Sequence, residues 1–179
     1  MKQGGWQKTW VRVLTSGMTL GLMIMIFAFS TQNAEKSDRT SGFISDTVVR
    51  LVYRDYEQMN PASQQSIYAE IQHIVRKCAH FTEYCLLGFM LRLCLESWFG
   101  HRKRGKWRLF TWALCAGILY ACTDEIHQLM IDGRSGQWTD VLVDSGGVLT
   151  GVTAGMLLIG RLIDHNAEGG TEHGVLQKQ

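Results

Sequence analysis

The sequence contains a single proline, and the 17-residue run from residue 13 to residue 29 carries no charge. That proline, Pro61, lies outside every long apolar run, so nothing in those runs interrupts a helix. None of the five cysteines belongs to a C-x-x-C pair, and all fall in or beside apolar runs, where cysteine behaves as a small buried hydrophobe. These absences exclude a disulfide-framed secreted domain and a C-x-x-C zinc or redox site.

Charge is strongly segregated along the chain. Over 179 residues the hydrophobic fraction is 46%, the net charge is +2 and the mean hydropathy is −0.03. Yet the 18 basic and 16 acidic residues largely avoid four windows. These windows cover residues 13–29, 84–99, 109–123 and 141–160. With short extensions, each reaches the ~17–25 residues that cross a bilayer. We therefore predict an all-α, polytopic membrane protein with a four-helix transmembrane bundle.

The whole chain, 1–179, is predicted to form one membrane domain. Its spans lie at about 11–29, 77–99, 107–131 and 138–161, with an extracytoplasmic segment at 30–76 and a cytoplasmic tail at 162–179. The first run resembles a signal peptide, but it exceeds the usual ~7–15 residues and no small-x-small cleavage site follows Phe29, so an uncleaved span is predicted. Within it, Gly17 and Gly21 have a G-x-x-x-G spacing that permits close helix contact.

The segment between spans one and two is predicted to be short and helical. Residues 30–41 are polar and are predicted to form a loop, whereas 43–53 places apolar residues at helical spacing, typical of an interfacial helix. Asn60 followed by Pro61 is a helix start, because asparagine caps and proline fits the first helical position.

Basic residues set the orientation. Lysine and arginine concentrate on one predicted side of the membrane, namely at Lys2, Lys8, Arg12, Arg102, Lys103, Arg104, Lys106, Arg108, Arg161 and Lys178. Cytoplasmic segments carry this excess, so the protein is predicted to be a multi-pass plasma-membrane protein with both termini cytoplasmic. The basic turn between spans two and three is a topology signal that anionic lipids attract, and it indicates no nucleic-acid role.

Three polar clusters fall at the opposite, extracytoplasmic end. Span two opens on Lys77, His80 and Glu83; span three closes on Asp124, Glu125, His127 and Gln128; span four opens on Asp140 and Asp144; Arg134 lies in the intervening loop. Ionisable groups at this depth are costly and by default mark a functional site. Gly147, Gly151 and Gly155 share a helix face with the two span-four aspartates, so those carboxylates are predicted to point into the bundle. At the other end of span two, Arg92 and Glu96 are four residues apart and are predicted to form a structural ion pair.

Several motifs in this order resemble the VanZ-like family of small bacterial membrane proteins. They are S-x-Q at Ser30 and Gln32, K-x-x-H-F-x-E-Y at 77–84, T-D-E-I-H-Q at 123–128, G-R at 133–134, and D-V-x-x-D at 140–144 before the glycines. The resemblance covers roughly residues 10–160 and implies a role in the cell envelope, with a link to tolerance of the glycopeptide teicoplanin. It places weight on the ten polar residues from Lys77 to Asp144 named above.

Two classes of function remain open at this stage. In the first, the cluster binds an envelope ligand such as an anionic lipid, a lipid-linked precursor or a glycopeptide, without chemistry. In the second, the protein is a membrane-embedded enzyme acting on a phospholipid or lipid-linked phosphate head group. There His80, Glu83, Asp124, Glu125 and His127 would form the catalytic set, and Lys77, Gln128, Arg134, Asp140 and Asp144 would bind the ligand.

Further alternatives concern the chemistry of the cluster. A metal-dependent enzyme would use the histidines and carboxylates as ligands, because an i,i+3 pair such as His80 and Glu83 resembles ligand spacing in helical bundles. The sequence does not identify a cofactor. The charges could instead only neutralise each other and brace the helix ends. Ion translocation is the least favoured, because the polar groups lie at one end and form no path.

Overall fold

The described part of the chain folds into five α-helices. The structure, a computed structural model, describes residues 8–31, 34–100, 105–131 and 137–176, with backbone only for 34–41 and 163–176. The helices are α1 (Thr9–Ser30), α2 (Ala34–Val52), α3 (Pro61–Phe99), α4 (Lys106–Gln128) and α5 (Trp138–Leu176), and a 3₁₀ turn at Tyr56–Gln58 precedes α3. The described residues contain no strand, which confirms the all-α prediction.

Four of these helices are long and apolar enough to cross a membrane. They are Thr9–Ser30, Pro61–Phe99, Lys106–Gln128 and Trp138–Leu162. Their outer faces expose large apolar side chains, including Leu20, Phe27, Leu119, Leu142, Leu149 and Leu157. An apolar surface of this extent is unfavourable in water and favourable against lipid. The fold is therefore that of a polytopic membrane protein, as the charge segregation predicted.

Helix α3 is the centre of the bundle, because it contacts each of the other four helices. Its closest partner is α5. A Cβ atom built at Gly151 would overlap the carbonyl oxygen of Cys85, and one at Gly147 would overlap that of Phe81. From the other side, Gly88 of α3 leaves room for the backbone of Val148. The prediction that the span-four glycines mark the closest packing is confirmed.

Polar contacts fix α1 to the rest of the bundle. At its N-terminal end the Thr15 and Ser97 hydroxyls are 3.1 Å apart, and Arg12 Nε donates to the Ser97 carbonyl at 3.0 Å. Gly17 and Gly21, by contrast, have no neighbouring atom within 4 Å of a built Cβ. Within the described chain, these two glycines therefore mediate no helix contact, although their G-x-x-x-G spacing would permit one.

The segment before α3 is more helical than predicted. Residues 34–41 were predicted as loop, but α2 already begins at Ala34. The run A-E-K-S-D-R-T-S lacks proline and glycine, and its polarity does not oppose helix formation in water. The start of α3 is as predicted, since the Asn60 side chain accepts a hydrogen bond from the Ser63 backbone N–H at 2.9 Å.

The predicted ion pair in span two is present. Arg92 Nη1 lies 2.7 Å from Glu96 Oε2, with the arginine side chain 1% exposed. The arginine stem also packs where a Cβ at Gly155 of α5 would stand. This pair lies toward the end of α3 opposite the three polar clusters, so it does not belong to the candidate site.

Candidate functional site

Carboxylates from three helices meet at one end of the bundle. Asp144 of α5 lies within electrostatic reach of Glu83 from α3, of Asp124 and Glu125 from α4, and of Asp140 on its own helix. The reason is topological, because successive helices run in opposite directions and bring the middle of α3, the end of α4 and the start of α5 to one level. The structure thus gathers five acids from three helices that are separate in sequence.

Asp144 and Asp124 are the most deeply buried of these carboxylates. Asp144 is 2% exposed and Asp124 is 3% exposed. Both lie within electrostatic reach of the phenol of Tyr84, which is itself 0% exposed. The Tyr84 hydroxyl is a nearby hydrogen-bond donor for Asp124, but Oδ1 of each aspartate has no hydrogen-bond partner among the described residues. Buried acceptors without donors are costly, so the pair is suited to receive a cation or a hydrogen-bond donor.

Hydrogen bonds hold the α4 side of the site. Gln128 Nε2 donates to Asp124 Oδ2 at 3.2 Å, one helical turn away. Glu125 Oε1 accepts from the backbone N–H of Gln137 at 2.5 Å. The second bond connects the end of α4 to the residue preceding α5, so Glu125 positions the two helix ends relative to each other.

Lys77 and Asp140 form the ion pair of the site. Lys77 Nζ of α3 lies 2.8 Å from Asp140 Oδ1 of α5. Their side chains are 30% and 32% exposed, so the pair is accessible from outside the bundle while the acids behind it are buried. A half-exposed pair of this kind contributes little stability by itself.

His127 packs against the first helix. Its ring stacks on Phe27 of α1, with centroids 4.7 Å apart and planes 26° from parallel. Its Nε2 atom is buried and has no hydrogen-bond partner among the described residues. On α3, the predicted site residues His80 and Glu83 are both half-buried. Each histidine therefore lies on a different wall of the bundle end.

Sequence reasoning missed two aromatic residues beside the site. The Tyr120 hydroxyl donates to the Met23 carbonyl at 2.6 Å, and its ring lies 6.2 Å from that of Tyr84. The position of Tyr120 beside the site could have been predicted from the sequence, because Tyr120 precedes Asp124 by one helical turn. Phe27 was not, since its contact with His127 depends on how α1 packs against α4.

Arg134, predicted to bind an anion, lies outside the described residues, as does Gln32 of the S-x-Q motif. In the described ranges, no three His, Cys, Asp or Glu side chains are grouped as ligands of one metal ion. Ser30, the first residue of that motif, is fully buried at the end of α1.

An apolar groove reaches the site from the lipid side. It lies between α3 and α5, has a volume of about 430 Å³ and is open on one side. Its lining residues are Ile74, Lys77, Cys78, Phe81, Thr82 and Val143. We call it the α3–α5 groove. Because Lys77 is both a lining residue and the partner of Asp140, the groove is continuous with the ion pair.

The fold and the site define a class, that of multi-pass α-helical membrane proteins with a carboxylate-rich cluster at one end of the bundle. More particularly, the chain belongs to the VanZ/LLP1 family, whose model matches residues 17–159. That match runs from within α1 to just past the middle of α5 and confirms the resemblance seen in the motifs. No curated protein gives a significant match to the chain. No solved structure does so either.

Proposed function

We propose that this protein is a cell-envelope membrane protein whose carboxylate cluster binds an amine-bearing envelope ligand, and that this binding contributes to tolerance of teicoplanin-type glycopeptides. The observation that carries the proposal is the convergence of four carboxylates around the buried Asp144. Membership of the VanZ/LLP1 family supports the envelope setting.

The charge balance of the cluster supports an amine as the bound group. Four acids lie within electrostatic reach of Asp144, and among the described residues the ammonium group of Lys77 is already engaged by Asp140. An ammonium group entering between Asp124 and Asp144 would give their free oxygens donors and reduce like-charge repulsion. A phosphate at the same place would add to that repulsion.

The distribution of basic residues supports placing this end at the extracytoplasmic face. The opposite end carries the basic turn before α4, and cytoplasmic segments hold such an excess. Trp98 and Trp107 are exposed at that opposite end, and Trp138 is exposed at the site end, as expected of side chains at the two interfaces.

A lipid head-group hydrolase is the second candidate, and His127 favours it. A buried ring nitrogen without a hydrogen-bond partner among the described residues is able to accept a proton.

Teicoplanin tolerance of a susceptible bacterial host tests the proposal in the cell. The host would express wild type, Asp124→Asn or Asp144→Asn, with membrane abundance measured for each. Wild type should raise the inhibitory concentration, and the two neutral, isosteric variants should lose the gain at equal abundance. Glu70→Gln, an exposed acid on α3 away from the cluster, is the matched control and should behave as wild type. Tolerance unchanged in both aspartate variants would refute a role for the cluster.

Ligand binding is tested on the purified protein in detergent. Ethanolamine hydrochloride should raise the melting temperature of wild type beyond the effect of equimolar sodium chloride, because it binds only the folded site. The shift should be absent in Asp144→Asn. An equal response of both proteins would show that no amine binds at the cluster, and loss of tolerance on His127→Ala without loss of the ethanolamine shift would favour the hydrolase.

A further inference from the structure

We infer that the α3–α5 groove holds one acyl chain of a zwitterionic phospholipid, whose phosphate contacts Lys77 and whose ammonium group contacts Asp140. The inference rests on the proposed function, because the ammonium group of the lipid would be the amine that the carboxylate cluster binds. It goes further by assigning the ligand class and a second, apolar subsite.

The depth of the groove fits a lipid with its head at Lys77. From Lys77 to the end of α3 at Phe99 the helix spans about 33 Å at the α-helical rise. The hydrocarbon core of a bilayer is about 30 Å thick. With Phe99 at one boundary, Lys77 therefore lies at the head-group level of the other. Phe81, one turn further along α3, then lies at the depth of the acyl chains.

The lining of the groove changes with that depth. At the head-group level it presents Lys77, paired with Asp140. Deeper, it presents Phe81 and Val143. Gly146 adds no side chain there, and a Cβ at that position would already contact the Phe81 ring at 3.6 Å. Along α3 the groove thus has one charged residue, Lys77, with the apolar Ile74 on its outer side and Phe81 on its inner side, where an acyl chain would lie.

Charge complementarity selects a zwitterion. Lys77 lines the groove and its ion-pair partner Asp140 lies beside it, both about a third exposed. Opening a half-exposed pair costs little, and a zwitterion replaces it with two charge-assisted contacts. An anionic lipid would occupy Lys77 but leave Asp140 unpaired beside Asp144, with which it interacts electrostatically. The site therefore disfavours anionic lipids.

Photocrosslinking of lipids with identical chains tests this assignment. The full chain in maltoside micelles receives phosphatidylethanolamine or phosphatidylglycerol, each with a diazirine in the acyl chain, and the labelled peptides are mapped. Phosphatidylethanolamine should label the segment around Phe81 or Val143 about fivefold more than phosphatidylglycerol, the discrimination expected of one partly exposed charged contact. Lys77→Gln and Asp140→Asn should each reduce that ratio towards one.

Filling the groove supplies a second arm with a matched control. Val143→Trp should abolish the labelling, whereas Leu142→Trp, at the adjacent exposed position on α5, should preserve it. Thr82→Trp, on the exposed side of the groove, replaces Val143→Trp if that variant fails to fold. Equal labelling by both lipids in wild type, or labelling unaffected by filling, would overturn the inference. If the lipid labelling gives either of these results but ethanolamine still raises the melting temperature, only the groove assignment fails. If ethanolamine also has no effect, the proposed function fails with it.

Discussion

Gly151 of α5 lies directly against the carbonyl oxygen of Cys85 in α3, with no room for a side chain between the two helices. Seven residues, or about two helical turns, earlier on α5, Asp144 lies within electrostatic reach of acids of α4 and α3. The close approach of the two backbones is therefore what brings Asp144 and Glu83 within electrostatic reach. The close packing of α3 against α5 therefore also determines the geometry of the site.

A larger side chain at Gly151 should separate α3 from α5. Gly151→Val is expected to lower the free energy of unfolding in detergent by about 3 kcal/mol, the upper end for over-packing, because the obstacle is backbone and cannot rotate away. Gly21→Val is the control, since nothing lies within 4 Å of a Cβ there. Equal unfolding curves for the two variants would contradict the packing described above.

The Arg92–Glu96 pair should be strongly coupled. Glu96→Gln leaves the arginine, 1% exposed, without its anion, and should cost about 3 kcal/mol of unfolding free energy. The double variant Arg92→Met, Glu96→Met should cost less than either single change, because it removes both charges. As a control, Glu57→Gln breaks the pair with Arg50, whose side chain is 73% exposed, and should change stability by less than about 1 kcal/mol. Additive single and double effects at Arg92 and Glu96 would disprove the coupling.

Neutralising Asp144 should stabilise the protein while removing ligand binding. Asp144→Asn keeps the shape of the side chain but removes one of five neighbouring carboxyl groups. We expect the free energy of unfolding to rise by about 1 kcal/mol, as at other sites that trade stability for function. Asp46→Asn, at an exposed position of α2, should leave it unchanged. Destabilisation by Asp144→Asn would instead indicate that the carboxylate braces the helix ends.

The proposed orientation makes a labelling prediction. In a cysteine-free background, Gln65→Cys on the exposed surface of early α3 should react with a membrane-impermeant maleimide in intact cells. Lys106→Cys, at the start of α4, should react only after permeabilisation, because the basic turn favours the cytoplasm. The reverse pattern would place the carboxylate cluster on the cytoplasmic side.

Much of the site could be predicted from spacing within single helices. Asp124 and Gln128 are four residues apart on α4 and do form a hydrogen bond, and Arg92 and Glu96 pair in the same way on α3. Interaction partners on different helices could not be predicted in this way. Asp140 of α5 forms an ion pair with Lys77 of α3, a partner that the sequence did not predict. Sequence spacing carries no information about which residues of two helices lie opposite each other.

The sequence by itself determined the number of spans, the level at which polar residues gather and the glycine face on α5, because these depend on helical periodicity and on the cost of charge in lipid. Only the tertiary structure decided the pairing of Lys77 with Asp140, the stacking of Phe27 on His127 and the existence of the α3–α5 groove. These depend on the relative rotation and axial position of helices that are distant in sequence. Those quantities are set by side-chain packing between helices, above all where Gly151 lets α5 touch the backbone of α3.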